Sequence, residues 1–221
     1  MEQANWKLVM ENARECYHCC VSHPELKKSF PVDMKPAYDF SEGERYVRFA
    51  EKLRRLGLKA DPVESDWRHA GRYPLNPGFE TISSDGRPLV SRRLTEIDEA
   101  EICGLRWATE PNSFCHVFAD YAFMFAAIPV GPQETRVVSK WRVHQGAREG
   151  IDYDLKRLIE PGTNTNPQDR ALSENNQRGV NGRGYAPGPY SEPAEDFVIS
   201  FSNWYQNTAV SAAALGARLS N

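Results

Sequence analysis

A carboxylate and two imidazoles fall within nine residues near the start of the chain: Glu15, His18 and His23, in Glu15-Cys-Tyr-His-Cys-Cys-Val-Ser-His-Pro24. Two neutral imidazoles and one carboxylate from elsewhere suit a mononuclear non-haem Fe(II). Such a triad takes one face of the metal and leaves positions open for O2 and substrate. The same stretch carries Cys16, Cys19 and Cys20, and a Cys-x2-Cys pair beside histidines is half of a structural zinc site. Cys103, Cys115 and His116 are the candidates to complete it. Plainer readings stand beside both: satisfied structural histidines, and Cys16 and Cys20 as small buried hydrophobes.

The elements that must position these groups can be read from periodicity. Trp6, Val9, Met10, Ala13, Cys16, Tyr17 and Cys20 recur at helical spacing. They predict one amphipathic helix over 5–21, with Glu11, Asn12, Glu15 and His18 on its polar side. Residues five apart on a straight helix point about 140° apart. Pro24 pushes residue 23 out of the α region, so the helix should end before His23 and let that ring turn back towards His18. A second, solvated helix is expected over 41–60, with Glu42, Glu44, Arg45, Arg48, Glu51 and Lys52 on one face.

Strands are expected over 114–119, 121–128 and 135–144, with Gly131-Pro132-Gln133 turning between the last two. Ser84-Asp85-Gly86-Arg87 reads as a hairpin turn. Thr165-Asn-Pro-Gln168 has the form of a capping box that opens a helix through Asp169, Leu172 and Asn176, stopped at Gly179. A last helix carries Phe197, Phe201, Trp204, Tyr205, Thr208, Ala212, Leu215 and Leu219 as one stripe that should pack across a sheet. The expected class is α+β: an antiparallel sheet wrapped around a long C-terminal helix.

Charged residues of both signs are interspersed and the net charge is −3, which gives neither the basic face of a nucleic-acid binder nor a polybasic membrane surface. Met1-Glu2-Gln3 lacks the basic-then-apolar design of a signal peptide, and the apolar run from Tyr121 to Val130 is too short to span a bilayer. A cytoplasmic protein without nucleic-acid or membrane partners is expected. The five cysteines are an odd number and do not read as a disulfide framework.

Several motifs together carry a resemblance. They are Asn5-Trp-Lys7, Glu11-Asn12, Glu15-Cys-Tyr-His18 and His23-Pro-Glu25, then Asp152-Tyr-Asp154, Thr165-Asn-Pro-Gln-Asp-Arg170, Glu174-Asn-Asn-Gln-Arg-Gly179, Tyr185-Ala-Pro-Gly-Pro-Tyr190 and Phe201-Ser-Asn-Trp-Tyr205. The set resembles the catalytic domain of Rieske-type non-haem iron oxygenase α subunits, nearest in look to the glycine betaine, stachydrine and choline monooxygenases. The resemblance implies a helix-grip, START-like domain in which His18, His23 and Asp169 hold Fe(II), with Asp196 the runner-up for the carboxylate. It implies that Glu15 links the iron to a [2Fe-2S] cluster of a neighbouring subunit, and that Asn12 lies beside the iron.

The activity implied is O2-dependent hydroxylation or oxidative N-demethylation of a small, quaternary ammonium or N-methyl substrate. A quaternary ammonium calls for an aromatic box, for which Trp67, Tyr73, Trp107, Phe114, Phe123, Phe125, Trp204 and Tyr205 are candidates, though such rings are more often packing. A Rieske cluster needs Cys-x-His and Cys-x2-His pairs; the only such spacings here, Cys16-x-His18 and Cys20-x2-His23, fall on the two histidines that the resemblance gives to the mononuclear iron. Residues 1–221 are thus expected to be a single mononuclear-iron domain. Its [2Fe-2S] electron source would lie on a partner or a missing N-terminal domain, fed indirectly by NAD(P)H through a reductase. A homotrimer is the implied assembly, and turnover by the chain alone is not expected. Two other readings stay open: a non-catalytic fragment, or a module that binds small molecules in the gap between sheet and helix.

Overall fold

Six strands form one antiparallel meander in chain order: β1 Val63–Ser65, β2 Arg68–Tyr73, β3 Gly104–Thr109, β4 Ser113–Val117, β5 Ala122–Gly131 and β6 Glu134–Arg142. The computed structural model describes residues 1–32, 43–65, 68–97, 102 and 104–219. The three expected strands correspond to β4, β5 and β6. Cross-strand pairs Phe114↔Phe125, His116↔Phe123 and Phe123↔Trp141 gather rings along them. Arg136, Lys140 and Arg142 of β6 are exposed, which is the wet face its alternation called for.

Strands β1 to β3 are additional to the sequence reading. On β3 the most buried positions are Gly104, Arg106 and Ala108, while Leu105 and Trp107 are less buried, so the strand lacks the usual apolar signature. Gly104 is required there: a Cβ would come within 2.2 Å of the Tyr73 ring on β2, its cross-strand partner. The ring lies over the bare backbone and sends its hydroxyl to His116 Nδ1 at 2.6 Å.

The 84–87 turn exists, with Gly86 at φ +79°, but it joins no strands. Asp85 is committed elsewhere: it accepts from Arg87 N at 3.1 Å and holds Arg157 through both its oxygens. That pairing ties the loop to a helix instead of to a hairpin ladder.

The helices are α1 Trp6–Asn12, α2 Cys19–Ser22, α3 Leu26–Ser29, α4 Gly43–Arg55, α5 Leu155–Val180 and α6 Glu192–Leu219. Helix α4 buries Tyr46, Phe49, Ala50 and Leu53 and turns Glu44, Arg48 and Glu51 outward; Glu42 lies outside the described residues. Helix α5 starts ten residues earlier than expected, because Asp154 supplies the cap by accepting from Arg157 N at 2.8 Å. Pro161 and Pro167 both lie inside it, so Thr165–Gln168 is helix interior and not a capping box. An interior proline costs about 3 kcal/mol, which the packing of α5 on α1 and on the sheet must offset.

Two contacts place α5. Gly162 lies so near Trp141 of β6 that a Cβ would be 2.6 Å from ring atom Cζ2. At the other end Gln177 Oε1 accepts from Asn5 N at 2.8 Å, while Asn5 Oδ1 caps α1 through Lys7 N at 2.9 Å. The aromatic stripe of α6 docks on α1 and β2: Trp6 meets Phe201 and Tyr205 edge-on at 5.9 Å each, and Phe197 lies 4.4 Å from the His69 ring. The result is the expected α+β arrangement, a sheet with long C-terminal helices. Among the described residues no helix is long and apolar enough to cross a membrane.

Candidate metal centre and its cavity

The continuous helix expected over 5–21 is broken after Asn12, where side chains find partners both near and far along the chain. Arg14 turns its guanidinium back onto Met10 O at 3.0 Å and Pro111 O at 3.2 Å, pairs with Glu110, and covers the Phe201 ring at 4.1 Å. Glu15 Oε2 accepts from Tyr17 N at 2.8 Å. These bonds offer the backbone an alternative to the next helical turn. Glu15 is therefore buried instead of solvated, whereas Tyr17 and Cys20 of the expected apolar stripe face outward.

Cys16 and Cys19 form a disulfide across this break, contrary to the reading of the cysteines as unpaired. The bond also removes two thiolates from the zinc hypothesis. Of the remaining candidates, Cys115 is buried on β4 with its thiol pushed up to about 12 by desolvation, and Cys103 lies outside the described residues.

Past the break, α2 ends at His23 with φ −121° and ψ 71°, and the ring turns back as Pro24 predicted. His18 Nε2 and His23 Nε2 come to 3.1 Å of each other. Asp169 Oδ1, from the middle of α5, lies 3.3 Å from the first and 3.0 Å from the second. Ligands bonded at about 2.1 Å on one face of a metal sit about 3 Å apart. These three atoms have that spacing, so they fit the 2-His-1-carboxylate set. Cys19 Sγ is also near, 3.7 Å from His18 Nε2, but as a disulfide sulfur it is no thiolate donor. Asp196 lies apart on α6, where its Oδ1 accepts from Phe197 N at 2.8 Å.

Each of the three groups is held from behind. His18 Nδ1 is 2.5 Å from Glu15 Oε1, His23 Nδ1 is 2.8 Å from Gln168 Oε1, and Asn12 Nδ2 donates to Asp169 Oδ1 at 2.8 Å. With Nδ1 of each ring facing an acceptor, each Nε2 would present its lone pair inward once its proton is displaced, the arrangement that outer hydrogen bonds give to metal-binding histidines. Burial alone would lower the His18 imidazole, but Asp169 and Glu15 outweigh it and hold it up at about 9. Burial would likewise raise Asp169, yet the two imidazoles and Asn12 hold it at about 2. The cluster thus favours positive charge at its centre, as protons or as a metal, which compete for the same lone pairs.

A cavity of about 110 Å³ opens beside these groups, between α5 and the sheet. An apolar cavity of about 150 Å³ holds benzene, so this smaller space suits no more than a compact organic molecule. Phe114, Phe123 and Phe125 line it, as anticipated for a box, joined by Phe118, Tyr121 and Trp141. Tyr73, Trp107, Trp204 and Tyr205 are not among its walls, and Trp67 lies outside the described residues. His116 lines it too, its pKa lowered to about 3 first by burial and then by Arg106.

Over residues 1–209 the chain matches the ring hydroxylating alpha subunit (catalytic domain) family. The chain belongs to this family. The glycine betaine monooxygenase oxygenase subunit of Chromohalobacter salexigens is 38% identical over 223 residues, covering 96% of this chain and 48% of that protein. The protein of the same name from Pseudomonas aeruginosa is 38% identical over 212 residues, covering 92% and 48%. The chain therefore spans about half the length of these relatives. A crystal structure of the quaternary ammonium Rieske monooxygenase CntA with an inhibitor aligns with a TM-score of 0.56 at 20% identity, covering 91% of this chain and 45% of that one. At that identity the likeness speaks for the fold.

In this ring hydroxylating alpha subunit domain the structure brings Asn12, Glu15, His18, His23 and Asp169 into one cluster. Sequence reasoning missed Gln168 and Arg14. Gln168 sits beside Asp169 in the quoted motif and was assigned to a cap that α5 does not need. Arg14 had no signal, since a lone arginine in a helical pattern reads as solvated.

Proposed function

We propose that the chain is the mononuclear-iron catalytic domain of an oxygenase that hydroxylates or N-demethylates a small methylated ammonium compound. The observation that carries this is the convergence of His18 Nε2, His23 Nε2 and Asp169 Oδ1 to 3.0–3.3 Å at the wall of an aromatic cavity. Fe(II) bound by these residues would supply O2 activation at its open positions.

The chain's own groups do the rest. Glu15 and Gln168 fix the tautomer and tilt of the two imidazoles, and Asn12 fixes the Asp169 carboxylate. The rings of β4, β5 and β6 exclude water and offer π-faces to a methylated cation. Electrons reach the site along Glu15, which is buried behind His18 while neighbouring Tyr17 and Val21 are 56% and 87% exposed. An outward apolar patch next to a buried link is where a donor surface could dock. The donor in this reading is a Rieske [2Fe-2S] centre on another segment or subunit, as in a homotrimer, reduced by NAD(P)H through a reductase. The names of the relatives and of the aligned oxygenase support the substrate class.

Metal analysis of anaerobically purified protein before and after Fe(II) addition tests the reading. One iron per chain, lost in His18→Ala and Asp169→Ala, is expected. Zinc, or no metal, would leave a ligand-binding domain of the same fold and remove the oxygenase reading.

A further inference from the structure

The cavity has a second polar feature that the metal cluster does not use. Glu2 is only 6% exposed and Ser173 only 2%, and both line the cavity. Glu2 Oε2 and Ser173 Oγ are buried without a hydrogen-bond partner. A buried polar atom left unpaired costs about 1–3 kcal/mol, and such atoms in a folded protein call for a reason.

The position of Glu2 is built by the sheet. Its backbone exchanges hydrogen bonds with Thr135 on β6 at 2.8 and 3.0 Å, and Thr135 Oγ1 donates to Ala4 O at 2.7 Å. Ser173 comes from α5, one turn beyond Asp169. No lysine or arginine lines the cavity among the described residues. Desolvation, then the nearby Asp169 and Glu174 carboxylates, push the Glu2 carboxyl up to about 7. The amino terminus and Arg170 offset this only in part, and within the cavity the carboxyl faces no described lysine or arginine, beside π-faces that also attract cations.

We propose that Glu2 is the specificity-determining counter-charge for the substrate's ammonium group, with Ser173 Oγ as the adjoining hydrogen-bond partner for a polar group elsewhere on the same substrate. The substrate in this inference is a methylated amine whose positive end lies between the Glu2 carboxylate and the rings of the cavity. This rests on the reading of the cavity as the substrate site, and it is independent of whether a metal is loaded.

The test is calorimetric binding of choline and of its uncharged carbon isostere, 3,3-dimethylbutan-1-ol, to the full chain, with metal content measured on the same sample. Wild type should bind choline more tightly than the isostere by about tenfold or more, the worth of one close contact between opposite charges. Glu2→Gln should erase most of that preference while leaving the isostere unchanged, and Ser173→Ala, which removes a partner for the hydroxyl that both probes carry, should weaken the two alike and by a smaller factor. Equal binding of the two probes to wild type, or no binding of either, overturns the inference without any variant. A Glu2→Gln protein that folds, shown by its melting curve, and keeps the full preference also overturns it. Glu2-dependent choline binding by a chain that loads no iron would uphold this inference while the oxygenase reading fell.

Discussion

Glu15 Oε1 lies 2.5 Å from His18 Nδ1, while the far nitrogen of the same ring is 3.3 Å from Asp169 Oδ1. One imidazole therefore bridges two carboxylates, one from the segment after α1 and one from the middle of α5. The Glu15 carboxylate has a second bond, from Tyr17 N at 2.8 Å, so it cannot swing away without unmaking the turn. A group held on both sides can orient a ring and also carry charge past it.

For Glu15 the expected outcome separates those two roles. Glu15→Gln keeps a hydrogen-bond acceptor for His18 and should leave iron bound, while electron delivery in a system reconstituted with a Rieske donor is abolished. Reduction of the iron is read by spectroscopy under single-turnover conditions. Normal turnover in this variant would sink the bridging assignment.

Asp169→Ala should lower iron occupancy to near background, whereas Asp196→Ala should not change it. Asn12→Ala removes a bond to the Asp169 carboxylate and should weaken iron binding about 10–100-fold, the usual effect of losing an outer partner. Metal titration on the three variants checks this. Loss in Asp196→Ala with retention in Asp169→Ala would exchange the two carboxylates.

His116 makes a prediction about pH. Its folded pKa is lowered from 6.5 to about 3, first by burial and then by Arg106. The unfolded chain therefore binds the extra proton first, so stability from this site is whole above about pH 6.5 and drains away as pH falls towards about 3. The full loss is on the order of 5 kcal/mol at most, less whatever water in the cavity returns. Urea midpoints at pH 7 and pH 4.5 should converge for wild type and His116→Gln as the acid range is entered. An unchanged gap between them would show that the ring is not titrating there.

The ion pair of Arg14 and Glu110 has side-chain exposures of 3% and 14%. Removing one partner of a buried pair costs about 3–5 kcal/mol, because the other charge is stranded. Arg14→Ala should lose about that much in denaturant unfolding, and a double Arg14→Met, Glu110→Leu variant should recover a good part of it. A single-variant loss below about 1 kcal/mol would mean that the pair contributes no more than a surface contact.

The residues of the cluster were legible because they sit in quoted motifs: Glu15-x2-His18, His23-Pro24 and Gln168-Asp169. Pro24 also told correctly how His23 would turn. What surrounds them was less legible, for definite reasons. The break after Asn12 depends on Arg14 reaching Glu110 and Pro111, nearly a hundred residues away. Strand β3 buries Gly104, Arg106 and Ala108, which inverts the rule that strands are recognised by. The start of α5 was misplaced because Thr165–Gln168, with Pro167 in it, has the form of a cap, and only contact with α1 and Trp141 shows why the helix runs through it. The α+β class survived these errors because it rests on three strands whose patterns are ordinary.

The close approach of Gly162 to Trp141 acts as a spacer of zero length. Roof and wall of the cavity meet where one side chain is missing, and this contact sets the headroom over the rings of β4 and β5. Exchanging a floor aromatic would alter what the chamber prefers, whereas its span is set where α5 meets β6, at Gly162 against Trp141 and where Asn166 Nδ2 donates to Ser139 Oγ at 2.9 Å. The size of molecule admitted and the kind of molecule preferred are thus governed by different residues, and one can drift while the other stays fixed.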